Sequence, residues 1–263
     1  MKLFFVFFLS VLFLPGLTQE KKDDKKEDKT PPINPDRPDL TNGPGITPIG
    51  KFVLEMGYRQ TRSGGATLHE WGDGPTWRYG VNDRLELRFV SPAYAVDSFG
   101  NKGFEDTNIG FKWLLKDGGD GGGFKKPSYA LQAGTSMPSG SNAFRSKQPL
   151  PIAIGIVDFD LGTCGDLGAN VSAGSQLNGN GSRFTMYTAS LSYNHSVGGP
   201  VTAYFESYML IPTGAGNGSA GHFVDSGLQY LLNNDCMLDA SVGTQIDRHQ
   251  QSSYFDLGVS FRF

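Results

Sequence analysis

Apolar and polar residues alternate with a period of two along most of the chain, from residue 51 to the C-terminus. The alternation is clearest at residues 52–59, 84–89, 108–113, 239–246 and 255–263. This period is typical of β-strands that have one apolar and one polar face. It predicts twelve strands, at residues 51–62, 67–80, 83–92, 104–116, 127–137, 150–163, 166–178, 182–196, 200–212, 221–233, 236–247 and 252–263.

The lengths of these strands and of their connections favour a membrane barrel. Most predicted strands have ten to fourteen residues, whereas soluble strands usually have about 5–6 and a tilted membrane strand needs about 9–11. Short connections, such as 81–83 and 197–199, alternate with longer ones, such as 92–103 and 138–149, and only 116–126 departs from this order. We therefore predict an all-β fold, a closed antiparallel up-and-down transmembrane β-barrel of about 12 strands with both termini on the short-turn, periplasmic side.

The first short connection also predicts a strand register. A three-residue loop at 81–83 places Arg78 opposite Glu86 on the polar face. It places Tyr79 opposite Leu85 on the apolar face. A two-residue loop would mix the two faces, so we expect the longer loop.

The polar face is predicted to line the lumen. Glycines such as Gly57 and Gly110 recur on that face, where inward side chains crowd, and aromatic residues such as Trp77 and Trp113 lie near strand ends, as in interfacial girdles. Alternation alone does not exclude the opposite arrangement, with the apolar face inside. The predicted lumen-lining residues are Glu55, Arg59, Arg78, Arg84, Glu86, Arg88, Lys112, Asp158, Asp160, Glu206, Asp225 and Asp239.

The basic members of this set all lie on the early strands, and the later strands contribute only acids. Closure of the barrel would bring a basic and an acidic wall face to face. One interpretation is a transverse field that orients dipolar solutes at a constriction. The favoured interpretation is that the charges pair across the lumen and stiffen it, because buried polar groups need partners.

The first fifty residues differ from the barrel in composition. Residues 1–18 have a positive start, an apolar run and small residues before the expected cleavage point, which is the pattern of a secretory signal peptide rather than of an uncleaved anchor. Residues 19–50 contain five acids and five bases in one run, followed by six prolines. Such a stretch has little to bury, so we expect a disordered, charged and Pro-rich periplasmic linker ahead of an outer-membrane β-barrel at 51–263.

Composition excludes several function classes. Lys+Arg number 23 and Asp+Glu 26, a balance unlike that of a nucleic-acid-binding protein. The two cysteines, Cys164 and Cys236, are too few for a disulfide framework or a four-cysteine zinc site. Their predicted turns are four strands apart, so we do not expect a bridge. No nucleotide motif is present, so we expect no energy coupling within this chain. We also expect no cofactor, no metal and no enzymatic activity.

Three histidines map to the rim with the longer loops. A metal or pH-responsive site of His69, His222 and His249 is conceivable there, but isolated polar residues are the favoured interpretation. His249 beside Ser252 or Ser253 lacks the strand spacing that would fix a hydrolase geometry, so an enzyme is a minor alternative.

The chain ends on an alternating strand with an aromatic last residue. A polar residue, a glycine and two aromatic residues stand at Asp256, Gly258, Phe261 and Phe263. The pattern resembles the signal that outer-membrane proteins present to the barrel-assembly machinery. We expect these four residues to form the C-terminal assembly signal.

Four segments carry a family resemblance. They are Asp36-Arg37-Pro38-Asp39 with the run 49–58, then 78–88, 103–113 and 130–140. The chain resembles the outer-membrane proteins named for the MetA pathway of phenol degradation, generic transporter barrels. The resemblance implies an outer-membrane barrel that passes small, including aromatic, molecules.

The sequence thus predicts a porin-like outer-membrane channel or transporter for passive passage of small solutes, with aromatic or hydrophobic molecules among the candidates. Its expected partners are outer-membrane lipids, the barrel-assembly machinery and a small-molecule solute, and not nucleic acid. One alternative is a non-conducting structural or ligand-binding barrel, closed by its own charges and by residues 118–123. The minor alternative is an outer-membrane hydrolase.

Overall fold

A computed structural model describes residues 30–214, 218–247 and 251–263. The predicted signal peptide at 1–18 and residues 19–29 of the predicted linker lie outside these ranges, as does His249. Within them no helix is long and apolar enough to cross a membrane.

The described chain forms fourteen strands, and two short 3₁₀ helices lie in the connections at Gly123–Lys125 and Gly162–Cys164. The predicted strands are reproduced to within a few residues, apart from two additions. The strands are β1 (Phe52–Ser63), β2 (Ala66–Gly80), β3 (Leu85–Val90), β4 (Tyr94–Asp97), β5 (Lys102–Phe104), β6 (Thr107–Lys116), β7 (Ser128–Met137), β8 (Leu150–Asp160), β9 (Asp166–Leu177), β10 (Arg183–Gly198), β11 (Val201–Thr213), β12 (Gly221–Asn233), β13 (Cys236–Gln245) and β14 (Ser252–Arg262).

Twelve of these strands form a closed antiparallel barrel. Each pairs with its neighbours around the ring, and β1 pairs with both β2 and β14, which closes it. The register at the seam runs from Val53 opposite Arg262 to Ser63 opposite Ser252. The predicted fold class, a closed up-and-down barrel of about twelve strands, is therefore confirmed.

The two additional strands, β4 and β5, extend the wall at the long-loop rim. The strand β4 pairs with β2 beyond the point where β3 stops, and β5 pairs with β4 as β6 pairs with β3. The segment between β3 and β4 contains Pro92, which has no N–H to donate and restricts the residue before it. The connection predicted at 92–103 therefore contains strand structure, which is separated from β3 by the short segment that includes Pro92.

The faces of the barrel differ sharply in polarity. The largest fully buried side chains are all polar, and they include Arg78, Lys112, Glu55, Glu86 and Glu206. The exposed large side chains on the strands are apolar or aromatic and point outward, as at positions 77, 113, 171, 191 and 205. The barrel thus has a charged interior and an apolar outer surface.

The first hairpin has a different register from the one predicted. Arg78 pairs with Arg88 and Gly80 with Glu86, a shift of two residues. The turn is longer than expected because the Asn82 side chain accepts hydrogen bonds from the N–H groups of Arg84 and Leu85, at 2.8 and 2.9 Å. A shift of two preserves the faces, so the polar side remains inside.

Residues 31–48, called here the inserted segment, lie inside the barrel. The segment enters near the turn between β12 and β13, where the Ile33 N–H donates to the Asn234 carbonyl at 2.8 Å. It returns to the same rim, where Ile49 bridges to Gly80. Thr41 and Thr47 are buried. The prediction of a disordered linker is wrong for residues 31–50, because charged partners on the wall hold this stretch and Ile33 is buried as well.

Gly80 makes room for the returning end of the inserted segment. A Cβ there would lie 2.2 Å from the Thr47 carbonyl oxygen and 2.4 Å from that of Pro48. We expect Gly80→Ala to displace this end of the segment and to lower the free energy of unfolding by about 1–3 kcal/mol, as overpacking does. Denaturant unfolding of the refolded protein measures the change.

Gly155→Ala is the matched control, since its Cβ would meet the nearest atom at 3.6 Å, an ordinary contact. Equal stability losses in the two variants would contradict the close approach at Gly80.

Candidate functional site

The inserted segment crosses the lumen and touches three parts of its wall. The charged residues of Asp36-Arg37-Pro38-Asp39 each reach a different set of strands, so that four consecutive residues connect walls that are remote in sequence. The candidate site consists of these charged residues of the inserted segment and their partners on the barrel wall.

Asp36 binds the basic wall. Its carboxylate accepts from Arg88 Nη1 at 2.5 Å and from Lys112 Nζ at 2.7 and 2.8 Å. Arg78 Nη1 lies 3.9 Å away. Burial alone would raise the pKa of Asp36, but these three cations hold it well below its ordinary value. Asp36 therefore stays charged and ties three strands, β2, β3 and β6, to the segment.

Arg78 is the most enclosed cation of the site. Its guanidinium donates to Glu86 at 2.9 Å and to Glu55 at 2.6 Å. It also donates to the backbone carbonyls of Asn34 and Gly45 in the inserted segment, at 3.2 and 3.4 Å. A buried charge is tolerated when it is paired and its remaining donors are satisfied, and Arg78 meets both conditions.

Glu86 holds the returning end of the segment. The Thr47 N–H and hydroxyl both donate to its carboxylate, at 2.8 and 2.6 Å. Glu86 is fully buried and also accepts from Arg88 at 3.0 Å. The basic wall is therefore neutralised locally, by its own glutamates and by Asp36.

Arg37 binds the acidic wall across the lumen. Its guanidinium donates to Asp73 at 2.5 Å, to Asp239 at 3.3 Å and to Asp256. Arg59 donates to the other oxygen of Asp256 at 2.7 Å. Burial alone would lower the pKa of Arg37, but these carboxylates raise it above its ordinary value. Arg37 therefore joins β2 to the last two strands.

An irregularity in β2 brings Asp73 into this group. Gly72, Asp73 and Gly74 all have positive φ, of 99°, 45° and 61°. The register between β1 and β2 shifts at the same place, between Glu55 and Gly57. Positive φ is uncommon for a residue with a side chain. The bulge places the Asp73 carboxylate where it meets the inserted Arg37.

A third contact is made with β10 and β11. The Leu40 N–H donates to Glu206 at 2.8 Å, and the Thr41 hydroxyl donates to Glu206 and to Ser190, the latter at 2.7 Å. Ser192 donates to Asp39 at 2.8 Å. Burial and the charge of Glu206 raise the pKa of Asp39 well above its ordinary value. This part of the wall is acidic and forms no ion pair among the described residues.

The structure gathers most of the predicted lumen residues around the inserted segment. Arg84 is not among them, because it lies in the exposed turn before β3. Asp160 lies at the short-turn rim, where it accepts from the N–H groups of Gly121 and Gly162, and Asp158 is close by. The residues that meet the segment or its direct partners are Glu55, Arg59, Arg78, Glu86, Arg88, Lys112, Glu206, Asp225 and Asp239.

The prediction missed the residues that the segment itself contributes. Composition places Asp36, Arg37, Asp39 and Thr41 in the linker, and the alternation does not single out Asp73. The Asp36-Arg37-Pro38-Asp39 motif carried part of the family resemblance, and it was the one signal in the sequence that could have located them.

The four residues of the predicted assembly signal divide between the two faces. Asp256 is buried against Arg37 and Arg59, and Gly258 leaves room for the Arg37 guanidinium, since a Cβ there would lie 2.4 Å from its Nε. Phe261 and Phe263 are exposed on the outer side.

The other candidate groups lie apart from the site. Cys164 and Cys236 are free thiols. His69 pairs with the Tyr58 hydroxyl at 2.7 Å and His222 with that of Ser207 at 2.8 Å. Across the described ranges, no group of three or more histidine, cysteine or acidic side chains is arranged to hold a metal ion.

Replacement of Asp36 by asparagine tests the contact with the basic wall. The variant keeps the shape of the side chain but removes the carboxylate that pairs with Lys112 and leaves Arg88 with Glu86 alone. Removing one member of a buried ion pair costs about 3–5 kcal/mol, and we expect a loss of that size in denaturant unfolding. Asp83→Asn, in an exposed turn, is the control. A loss no larger than that of the control would contradict the assigned role.

The lowered pKa of Asp36 predicts a specific pH dependence. A group with a depressed folded pKa contributes stability that is complete above its unfolded pKa, about 3.9, and is lost as pH falls through the folded pKa. The difference in unfolding free energy between the wild type and Asp36→Asn should therefore be the same at pH 7 and pH 5, and shrink only below about pH 4. A difference that already shrinks by pH 5 would contradict it.

Comparison with solved structures identifies the fold. An outer-membrane channel from Pseudomonas putida F1 superposes with a TM-score of 0.62 over 88% of this chain and 100% of that one, at 12% identity. The NanC porin gives 0.55 over 79% and 98%, at 11% identity. The KdgM porin in complex with disordered oligogalacturonate gives 0.51 over 80% and 99%, at 12% identity. The barrel is thus a porin-like one.

Comparison of the sequence identifies the family. None of the curated proteins matches the chain significantly. The family model described as putative MetA-pathway of phenol degradation matches residues 35–263, which include the charged motif of the inserted segment and all fourteen strands. The chain therefore belongs to this family.

Proposed function

We propose that the protein is an outer-membrane channel through which small solutes diffuse passively. The observation that carries this proposal is a closed barrel whose outer surface is apolar and whose interior is charged. A surface of that kind is stable against lipid, and a contiguous apolar band of this extent would be a liability in water. Closure satisfies the backbone hydrogen bonds that lipid cannot.

The arrangement of the connections supports periplasmic termini. The turn between β10 and β11 and that between β12 and β13 are tight, and the inserted segment enters and leaves at this rim. Short periplasmic turns are usual in outer-membrane barrels. Residues 1–18 would then act as the export signal. The outward Phe261 and Phe263 would face lipid and the barrel-assembly machinery.

The inserted segment would set the bore of the channel. It contacts β1, β2, β3, β6 and β7 on one side and β9 to β14 on the other, so a solute would have to pass through the space that it leaves. The lining is charged, which favours small polar or dipolar solutes over the aromatic ones suggested by the family description. The proposed role is passage of solute without chemical conversion.

A non-conducting barrel is the second candidate. It is favoured by the same segment, since ion pairs at Asp36 and Arg37 hold it on two walls at once. In that case the barrel would be structural or would bind a ligand at one of its rims.

Conductance in a planar lipid bilayer tests the channel. We expect small, discrete, ohmic steps from the wild type and steps several-fold larger from a variant that lacks residues 31–48, because the deletion replaces protein in the lumen by electrolyte. Circular dichroism and heat modifiability check that both insert as folded barrels. Absence of steps from both folded proteins would overturn the proposal.

A cross-linked variant separates the two candidates. The hydroxyl oxygens of Thr41 and Ser190 are 2.7 Å apart, so cysteines at these positions place their sulfurs within reach of a disulfide. Cys164 and Cys236 are replaced by serine in the same protein. Conduction past a fixed segment would be equal in the oxidised and reduced forms. Steps that appear only after reduction would indicate a barrel that is closed until the segment moves.

A further inference from the structure

An acidic part of the lumen wall is left without a counter-charge. Glu206 on β11 and Asp225 on β12 stand directly opposite each other in the strand register, and Asp39 of the inserted segment lies beside them. Like charges at directly opposed positions destabilise a strand pair. None of the three carboxylates forms an ion pair with any described residue.

Asp225 differs from its two neighbours because the donors beside it, the Tyr204 and Tyr254 hydroxyls, stop short of hydrogen-bonding geometry. Glu206 accepts from Leu40 and Thr41, and Asp39 accepts from Ser192. Asp225 is 3% exposed, and both of its carboxylate oxygens are buried without a hydrogen-bond partner among the described residues. A buried, unpaired carboxylate carries a large desolvation cost, so a missing positive partner is indicated.

Two further oxygen atoms at the same place are also without partners. The hydroxyls of Tyr204 and Ser241 are buried, and neither reaches hydrogen-bonding geometry with a described residue. The Tyr204 hydroxyl lies close to both Asp225 and Ser241. The two unpartnered hydroxyls are an observation separate from the two opposed carboxylates, because neither side chain carries a charge. Their lone pairs remain available to a ligand.

Two glycines create the space in which these groups converge. A Cβ at Gly227 would lie 2.5 Å from a Tyr204 ring carbon, and one at Gly243 would lie 2.2 Å from a carbon of the Tyr254 ring. The same Cβ at Gly243 would lie 2.9 Å from the Cβ of Asp225. Each tyrosine ring therefore lies over a glycine of the adjacent strand, with its hydroxyl end beside Asp225.

The nearest cation of the wall is already committed elsewhere. Arg59 stacks over the Tyr254 ring, with 5.1 Å between the guanidinium carbon and the ring centroid. Its nitrogens lie 2.7 Å from Asp256 and 3.5 Å from Asp73, which use its charge. Tyr208 also faces the acidic pair and supplies no positive charge.

We propose that a hard inorganic cation of the Na⁺ or Ca²⁺ class binds in the barrel wall at Asp225, with the hydroxyls of Tyr204, Ser241 and Tyr254 as further oxygen ligands. Carboxylate and hydroxyl oxygens without nitrogen or sulfur are the donors that such ions prefer. Glu206 and Asp39 strengthen the attraction from a short distance. The proposed ligands all lie on strands β11 to β14 of the wall, so the site exists whether or not the lumen conducts.

Terbium(III) luminescence is the direct test, because Tb³⁺ substitutes for hard cations and is sensitised by nearby tyrosine. The full-length folded protein is stripped of metal with a chelator and titrated with Tb³⁺ in detergent. We expect saturable sensitised emission that Ca²⁺ or Na⁺ reverses. Asp225→Asn should weaken binding by at least about tenfold, and Tyr204→Phe by about 10–100-fold, the range seen when a partner of a metal site is lost.

Asp83→Asn is the control for loss of surface charge, and circular dichroism checks that each variant is folded. Thermal unfolding of the wild type should shift upward with Ca²⁺ or Na⁺, and that of Asp225→Asn should not. Emission that is absent, or equal in the wild type and Asp225→Asn, would overturn the proposal. So would a wild-type stability that changes with pH but not with cation, since Asp225 would then hold a proton in place of a metal.

Discussion

The structure depends on charge pairing in a lumen that water reaches only partly. A barrel of twelve strands with inward charges has no apolar core, and its interior is stable only if each charge meets a partner. The wall cannot supply all of them from its own strands. The inserted segment supplies Asp36 to one side and Arg37 to the other, in adjacent positions. The bulge at Asp73 and the space at Gly258 then follow as accommodations of Arg37.

Alternation predicted the barrel well and the segment poorly, for the same physical reason. A period of two reports which face of a strand meets an apolar environment, and that is enough to locate the strands to within a few residues. It is also insensitive to shifts of two, so the register at Arg78 was wrong while its face was right. It is also insensitive to the interruption between β3 and β4 at Pro92, because the side chains on either side of that interruption keep the same face.

The inserted segment could not be found by the same reasoning. It has six prolines and charged residues, as a solvated linker does. Composition shows how much apolar surface a segment can bury, but not which ion pairs it can form. Its burial comes from partners that are distant in sequence, such as Lys112 and Asp256. Arg84 is the predicted lumen residue that lies in a turn. The turn extends one residue further than the alternation indicates, so β3 begins at Leu85 and Arg84 stays outside it.

The contact between Arg37 and Asp256 spans 219 residues, almost the whole described chain. Contacts of such separation form late, since the entropy of closing the loop must be met before they contribute. The segment precedes the first strand, yet it completes its binding site only when the last strand is in place. Docking of Arg37 therefore reports that the ring has closed in register. A barrel with a slipped seam would leave Arg37 with Asp73 alone, so docking of the inserted segment would distinguish barrels closed in register from those that are not.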